Sequence, residues 1–203
     1  MDLILNGERR EFDALECANL AELVARAEGL EGAAEDSIVV SIAVDGEALS
    51  PDELDRLELR PISNVGRVEL VRRPSREVAA RVLAQGADYT AQVAAAIERV
   101  VVDYRAGRTE RASGTLAEVL DSLSILTNIS LSIAGALPEA SRALVAEQAE
   151  IQPWLQEMLE AQSGLDPIRI ADVLEYEIAP RIAGWGTSMR THCTASARTT
   201  ADR

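Results

Sequence analysis

The sequence predicts an α+β protein in which a small sheet-forming segment precedes an all-helical one. Two observations predict this class. In the first third of the chain, short runs rich in aliphatic residues are separated by the turn-forming pairs Asn6-Gly7 and Asp45-Gly46. From Ser75 onwards, apolar residues recur at helical spacings instead. We therefore expect one domain over residues 1–73, an all-α bundle of four to five helices over 75–186, and a disordered tail over 187–203.

The turn and capping signals of the first segment follow the order hairpin, helix, strand, short helical turn, strand. Asn6 and Gly7 both tolerate the positive φ of a type I′ turn. Asn19 is suited to cap a helix that Gly29 ends, and Ser50 precedes a second, very short helix. The predicted strands are residues 3–5, 8–12, 37–44 and 67–71.

Four stretches of this segment, residues 3–8, 19–23, 42–47 and 66–71, carry a family resemblance. Together they resemble the β-grasp, or ubiquitin-like, fold, and within it the small sulfur-carrier proteins of thiamine and molybdopterin biosynthesis. Those carriers act through a free C-terminal Gly-Gly. Here Val71 is followed by Arg72-Arg73-Pro74-Ser75 and the chain continues. The resemblance therefore implies the fold as a binding scaffold, without the carrier chemistry.

The helical segment is punctuated by glycine and proline. Gly107 ends the first predicted helix, and Pro153 predicts a break near Gln152 in the third. Asp166 is suited to cap the fourth helix, in which Pro180 is expected to cause a second kink. The first, second and fourth predicted helices begin at about Ser75, Thr109 and Pro167, and Pro138 separates the second from the third.

The charge balance excludes several function classes. The 203 residues carry 34 acidic and 20 basic side chains, a formal net charge of −14. We therefore expect no nucleic-acid partner, because such proteins present a basic face to phosphates. All basic residues are arginines, so Schiff-base chemistry and a P-loop lysine are excluded as well.

The predicted location is the bacterial cytoplasm, with no membrane partner. The most apolar stretch, residues 119–137, contains Asp121, Asn128 and several serines, which disfavours a bilayer span. The N-terminus lacks a basic region followed by a long apolar one, so no secretory signal is expected.

Few side chains are suited to catalysis or metal binding. The one histidine, His192, lies beside Cys193 near the C-terminus, and Cys17 lies at the other end of the chain. A nucleophile needs a base that is held in place, and a structural zinc site needs four ligands. Carboxylates at i, i+3 spacing, such as Glu147 and Glu150, are most simply solvated. We predict no catalytic residue, no metal site and no cofactor.

The second predicted helix is the candidate binding element. Serines interrupt its apolar pattern, which fits either close packing between helices or a groove for a partner helix. Trp154 and Trp185 are candidate binding residues because aromatic residues are scarce and tryptophan is frequent at binding hot spots. Trp185 lies between glycines and is expected to be partly exposed. The predicted partner-binding residues are Leu123, Leu126, Ile129, Ile133, Trp154 and Trp185.

These observations predict a non-enzymatic adaptor or chaperone-like module that binds another protein. Binding is expected through a helix-in-groove contact or through strand addition to the sheet edge. The alternative is a regulatory or small-ligand-binding subunit with an apolar pocket among the helices. A ubiquitin-like modifier released by proteolysis is less favoured, because no glycine lies between Gly66 and Gly86.

Overall fold

The computed structural model describes residues 1–11, 17–29 and 36–201, with side chains up to Ala195. The chain divides into two compact units, Met1–Ser75 and Arg76–Arg203. The first contains a sheet and short helices, and the second is helical, so the protein is of the α+β class. The predicted end of the second strand, at Phe12, lies outside the described residues.

The first unit is built on a mixed five-stranded sheet in the order β2-β1-β5-β3-β4. β1 and β5 pair in parallel, and the other neighbouring strands are antiparallel. The two-residue β4 was not predicted. The strands are β1 Asp2–Leu5, β2 Glu8–Arg10, β3 Ser37–Val44, β4 Glu47–Ala48 and β5 Arg67–Pro74. The helices are α1 Leu20–Glu28 and α2 Pro51–Leu54, followed by a 3₁₀ turn at Leu57–Leu59.

Two predicted turns set the register of this sheet. Asn6 and Gly7 have φ values of 51° and 83°, and Asp45 and Gly46 have values of 52° and 92°, as a type I′ turn requires. Asp45 also accepts hydrogen bonds from the backbone amides of Gly66, at 3.0 Å, and Arg67, at 2.7 Å. The β3–β4 turn is therefore tied to the start of β5.

Both helices of this unit begin with predicted caps. The side chain of Asn19 accepts a hydrogen bond from the amide of Glu22 at 3.0 Å. At α2, the carboxylate of Glu53 accepts from the amide and the hydroxyl of Ser50, each at 2.9 Å. These bonds, first that of the Ser50 amide, together with the charge of Arg60, lower the pKa of Glu53.

One arginine stabilises the far end of α1. Arg72 is buried, and its guanidinium donates to the carbonyls of Ala27, at 3.3 Å, and Glu28, at 2.9 Å. A cation suits these carbonyls because a helix C-terminus carries partial negative charge. The core of this unit is apolar and centres on Leu3, Leu20, Leu23, Val68 and Leu70.

The second unit consists of helices joined by short loops. The first two predicted helices are present, the predicted break divides the third into α5 and α6, and the fourth forms α7, a π-helical segment and α8. These elements are α3 Ser75–Arg105, α4 Thr109–Ser132, α5 Pro138–Ala149, α6 Gln152–Ser163, α7 Pro167–Val173, the π segment Leu174–Ile178 and α8 Ala179–Ala201. The π segment lies just before Pro180, which lacks the backbone N–H that a regular turn would need.

The predicted disordered tail differs from the structure. α8 continues to Ala201, and Met189 within it is fully buried. Glycines explain why α8 lies so close to α3. A Cβ at Gly186 would overlap the hydroxyl of Thr90, and one at Gly86 would lie 2.9 Å from the sulfur of Met189. The two helices thus approach more closely than larger residues would permit, and this long-range contact buries Met189 inside the predicted tail.

Hydrogen bonds cross the helical core at α4. The hydroxyl of Ser130 donates to Oε1 of Gln148 at 2.9 Å, and both side chains are buried. The hydroxyl of Tyr89 donates to Oγ of Ser122 at 2.8 Å. Several polar residues of α4 therefore link it to α5 and α3. Among the described helices, none combines the length and apolarity needed to cross a bilayer.

Candidate protein-binding face

The structure places most of the predicted partner-binding residues in the core of the second unit. Ile129 and Trp154 are half-buried. The others, Leu123, Leu126, Ile133 and Trp185, are buried. The helical spacing of apolar residues in the sequence identifies the inward-facing side of α4, and this side packs in the core of the same unit. These four side chains do not present a surface to a partner in this structure.

The prediction that Trp185 is partly exposed was wrong. Its side chain is only 2% exposed. The glycines on either side suggested an irregular end of the chain, but Gly186 instead allows α8 to approach Thr90 of α3. Trp185 is consequently a core residue of the helical unit.

The opposite side of α4 faces solvent, and the part of it that follows Asp121 carries no charge. We define its outer face as Ser124, Ile125, Thr127, Asn128, Leu131 and Ser132, all of which are exposed. Ile125 is 54% exposed and Leu131 is 64% exposed. No charged residue occurs from Ser122 to Leu137, although 27% of the chain is charged. Two exposed aliphatic side chains among uncharged polar ones form a surface that is suited to contact with another molecule.

The hydroxyl groups of the outer face are already engaged within the helix. Ser124 donates to the carbonyl of Leu120 at 3.3 Å, Thr127 to that of Leu123 at 2.8 Å, and Ser132 to that of Ile129 at 2.9 Å. A donor that is satisfied in this way loses less when water is removed. The outer face can therefore be buried against an apolar partner at a lower cost than its serine content suggests.

A second cluster combines aromatic and arginine side chains around the π segment. The guanidinium of Arg181 lies 5.1 Å from the ring centroid of Trp154, and its Nη1 is 2.9 Å from a carboxylate oxygen of Glu177. The guanidinium of Arg105 lies 6.0 Å from the ring of Tyr176. Trp, Tyr and Arg are the residues most frequent at binding hot spots.

Electrostatic contacts hold Arg105 in this cluster. Its Nη2 is 3.0 Å from the carboxylate of Asp172, and it also pairs with Glu175. The hydroxyl of Tyr176, followed by these two carboxylates, raises the pKa of Arg105. Arg105 is consequently a fixed cation, while Tyr176 remains 62% exposed and available for contact.

Both cysteines are free thiols in the structure, Cys17 in the first unit and Cys193 in the second. Within the described side chains, no group of three or more His, Cys, Asp or Glu residues is placed to hold a metal ion.

One family comparison covers the helical unit. A family described as a domain of unknown function (DUF8042) matches residues 81–188, more than half of the chain. The chain belongs to the DUF8042 family. The DUF8042 region includes all of α4, Trp154 and the π segment, so both surface features described above lie inside it.

A relative extends beyond the DUF8042 region. A protein of Treponema pallidum (strain Nichols), described as uncharacterized, is 26% identical over 194 residues, covering 89% of this chain and 92% of the relative. Because Arg76–Arg203 makes up less than two thirds of the chain, this similarity must extend into Met1–Ser75. The relative therefore shares sequence with both units. No solved structure matches the chain significantly.

Sequence reasoning missed the outer face of α4. It selected large apolar residues at helical spacing, and those residues form the core. The signal that identifies the outer face is the lack of charge from Ser122 to Leu137 in a chain with a net charge of −14. Such a run is unusual on a helix with a solvent-facing side, because that side normally carries charged residues.

Proposed function

We propose that this DUF8042 protein is a non-enzymatic protein-binding module, an adaptor or chaperone-like protein of the bacterial cytoplasm. The observation that carries the proposal is the exposed, uncharged outer face of α4. Its two aliphatic side chains, Ile125 and Leu131, flank small polar residues whose donors are already satisfied. This combination favours close packing of a second helix.

The partner that suits this face is an amphipathic helix of another protein with basic residues at its flanks. Its apolar side would cover Ile125 and Leu131. Its basic flanks would be attracted by a chain with a net charge of −14, which raises the association rate and disfavours acidic partners. Trp154 and Tyr176 provide additional contact chemistry on the same unit.

For the first unit, we propose a β-grasp fold that acts as a scaffold. The mixed five-stranded sheet with parallel β1 and β5 and a helix after the first hairpin supports this assignment. Strand addition is less favoured than helix docking, because the edge strands β2 and β4 span only three and two residues. Carrier chemistry is not proposed, since β5 leads into α3 at Ser75 instead of a Gly-Gly terminus.

The cytoplasmic assignment is supported by the two cysteines. Cys17 and Cys193 are both free thiols in the structure. Unpaired thiols are maintained in the reducing cytoplasm, whereas secreted proteins tend to form disulfides.

The test compares two isoleucines of similar exposure in the same unit. Ile125, on the outer face, is 54% exposed and Ile168, in α7, is 50% exposed. Tagged full-length protein, Ile125→Glu and Ile168→Glu would be purified from the native host at low and moderate salt. Copurifying proteins would be identified by mass spectrometry, and the affinity of a stoichiometric partner would then be measured with purified components.

We expect the partner to bind Ile125→Glu about tenfold or more weakly and Ile168→Glu as tightly as the unaltered protein. Circular dichroism would show that both variants keep their helix content. The absence of any stoichiometric protein, or equal affinity for both variants, would contradict the proposal. A small molecule retained in place of a protein would support the alternative of a ligand-binding subunit.

A further inference from the structure

A cavity of about 460 Å³ lies near the turn that joins α3 to α4, and its lining is rich in arginine. Three of the seven lining residues are arginines in a protein that is otherwise strongly acidic. The lining residues are Ala95, Glu98, Arg99, Val102, Asp103, Arg108 and Arg111. The first five lie along α3, Arg108 lies in the turn, and Arg111 lies in the first turn of α4.

A buried carboxylate orients two of these arginines. Asp103 is only 4% exposed. Its Oδ1 is 2.7 Å from Nε of Arg108, and its Oδ2 is 3.1 Å from Nε of Arg111. Asp103 engages each guanidinium through Nε, so terminal N–H donors of both side chains remain for other acceptors. Those groups are the donors that bind oxyanions in pairs.

The positive charge at the cavity exceeds what Asp103 needs. One guanidinium would neutralise its single negative charge, but two contact it. Arg99 lines the same cavity and forms no hydrogen bond or ion pair with the residues that the structure describes. Counting Glu98 as well, three cations face two anions, so the cavity has a net positive charge within a chain of net −14.

Two of the lining residues are apolar. Val102 is 58% exposed, and Ala95 lines the cavity two helical turns earlier. An exposed valine beside oriented guanidinium groups is suited to a ligand with an anionic end and a small organic part.

We propose that this cavity is a binding site for the phosphate dianion of a small phosphate monoester. The terminal amino groups of Arg108 and Arg111 bind the phosphate oxygens, Arg99 adds a third cation, and the organic part lies against Val102. Arginine suits this role because its planar donors bind phosphate oxygens in pairs. The cavity shares no residue with the outer face of α4, and it would bind an anion instead of an apolar helix.

The test uses the full-length protein and four charge-neutralising or control variants. Inorganic phosphate and O-phospho-L-serine would be titrated into the unaltered chain, Arg99→Gln, Arg111→Gln, Glu98→Gln and Arg169→Gln, with binding followed by calorimetry or phosphorus NMR. Arg169 is the control, because it is an exposed arginine of α7 that pairs with Glu157 outside the cavity.

We expect saturable binding that is about fivefold weaker in Arg99→Gln and Arg111→Gln and unchanged in Arg169→Gln. Glu98→Gln should bind about twofold more tightly, because a repelling charge is removed. Tighter binding of O-phospho-L-serine than of inorganic phosphate would support a phosphate ester as the ligand, and equal binding would contradict a contribution from the organic part. The lack of saturable binding, or equal affinity in all variants, would overturn the site.

Discussion

The inner and outer faces of α4 are made from the same residue types and differ in what those residues contact. Leu126 and Ser130 face inward. Leu126 packs in the core, and the Ser130 hydroxyl lies 2.8 Å from the carbonyl of Thr127 and 2.9 Å from Oε1 of Gln148 in α5. Leu131 and Ser132 face outward, where the leucine is exposed and the serine donates to its own helix. The difference shows that residue types alone do not separate a core face from a contact face. The contacts that each side chain makes do separate the two faces.

The largest expected difference in stability is between variants of Leu126, on the inner face, and Leu131, on the outer face. Leu126→Ala should destabilise the helical unit by about 2–5 kcal/mol, because it leaves a cavity where a fully buried side chain was. Leu131→Ala should change stability by no more than about 0.5 kcal/mol, because its side chain is exposed. Both tryptophans lie in this unit, so urea unfolding followed by tryptophan fluorescence reports on it. Similar losses for the two variants would remove the distinction between the faces.

In α8, a buried and an open position can be compared at two glycines, Gly186 and Gly184. Gly186→Ala should destabilise by about 1–3 kcal/mol, because the added Cβ overlaps the buried Thr90, whose hydroxyl donates to the carbonyl of Ala87 at 2.7 Å. A Cβ added at Gly184 would meet no other atom within 4 Å. Gly184→Ala should therefore stabilise the folded protein by about 0.5–1 kcal/mol, because alanine has the higher helix propensity. Thermal unfolding of both variants checks the opposite signs. An increase in melting temperature for Gly186→Ala would contradict the close approach of α3 and α8.

The serine pair should give a smaller difference. Ser130→Ala removes the donor to Oε1 of Gln148, a buried acceptor, and should cost about 1–2 kcal/mol. Ser132→Ala removes only a bond to its own helix at an exposed position and should be within about 0.5 kcal/mol of neutral. Urea unfolding of each single variant measures both values. If Ser132→Ala were the more costly of the two, the outer serines would have a structural role that their contacts do not show.

The smallest effect is expected at the exposed contact between Glu53 and Ser50, which is lost when Glu53 is protonated. The pKa of Glu53 is lowered in the folded protein, so its contacts with Ser50 stabilise α2 above the unfolded pKa of about 4.3 and are lost as the pH falls through the folded value. Amide exchange at Leu54, corrected for the intrinsic rate, should therefore accelerate on acidification. In Glu53→Gln this acceleration should be absent. Equal pH dependence in both proteins would show that the capping contacts do not stabilise α2.

Local chemistry explains which elements could be predicted from the sequence. The turns at Asn6-Gly7 and Asp45-Gly46, the cap at Asn19 and the break before Pro153 each depend on a few adjacent residues. The length of α8 could not be predicted in this way. Its turn at Met189 packs against Gly86 of α3, about a hundred residues earlier in the chain.

The candidate site was only partly predictable for a related reason. Periodicity identifies a stripe of apolar residues, but it does not state whether that stripe meets its own unit or another protein. Leu126, Ile133 and Trp185 turned out to be core residues, and the exposed positions on the other side of α4 were overlooked. Only the three-dimensional contacts of each side chain distinguish the two cases.

The π segment has a consequence for how the sequences of relatives should align. At 100° per residue, Ile182 and Trp185, which are buried in α8, are rotated by about 120° from Ile170 and Val173, the buried residues of α7 that lie twelve positions earlier. One residue corresponds to about 100° of that rotation, and the wider turn at Leu174–Ile178 absorbs it. We expect a relative with a single deletion here to keep these four side chains on one face of a regular helix. This turn is thus where a one-residue gap would be tolerated, and a gap elsewhere in these helices would turn their buried side chains towards solvent.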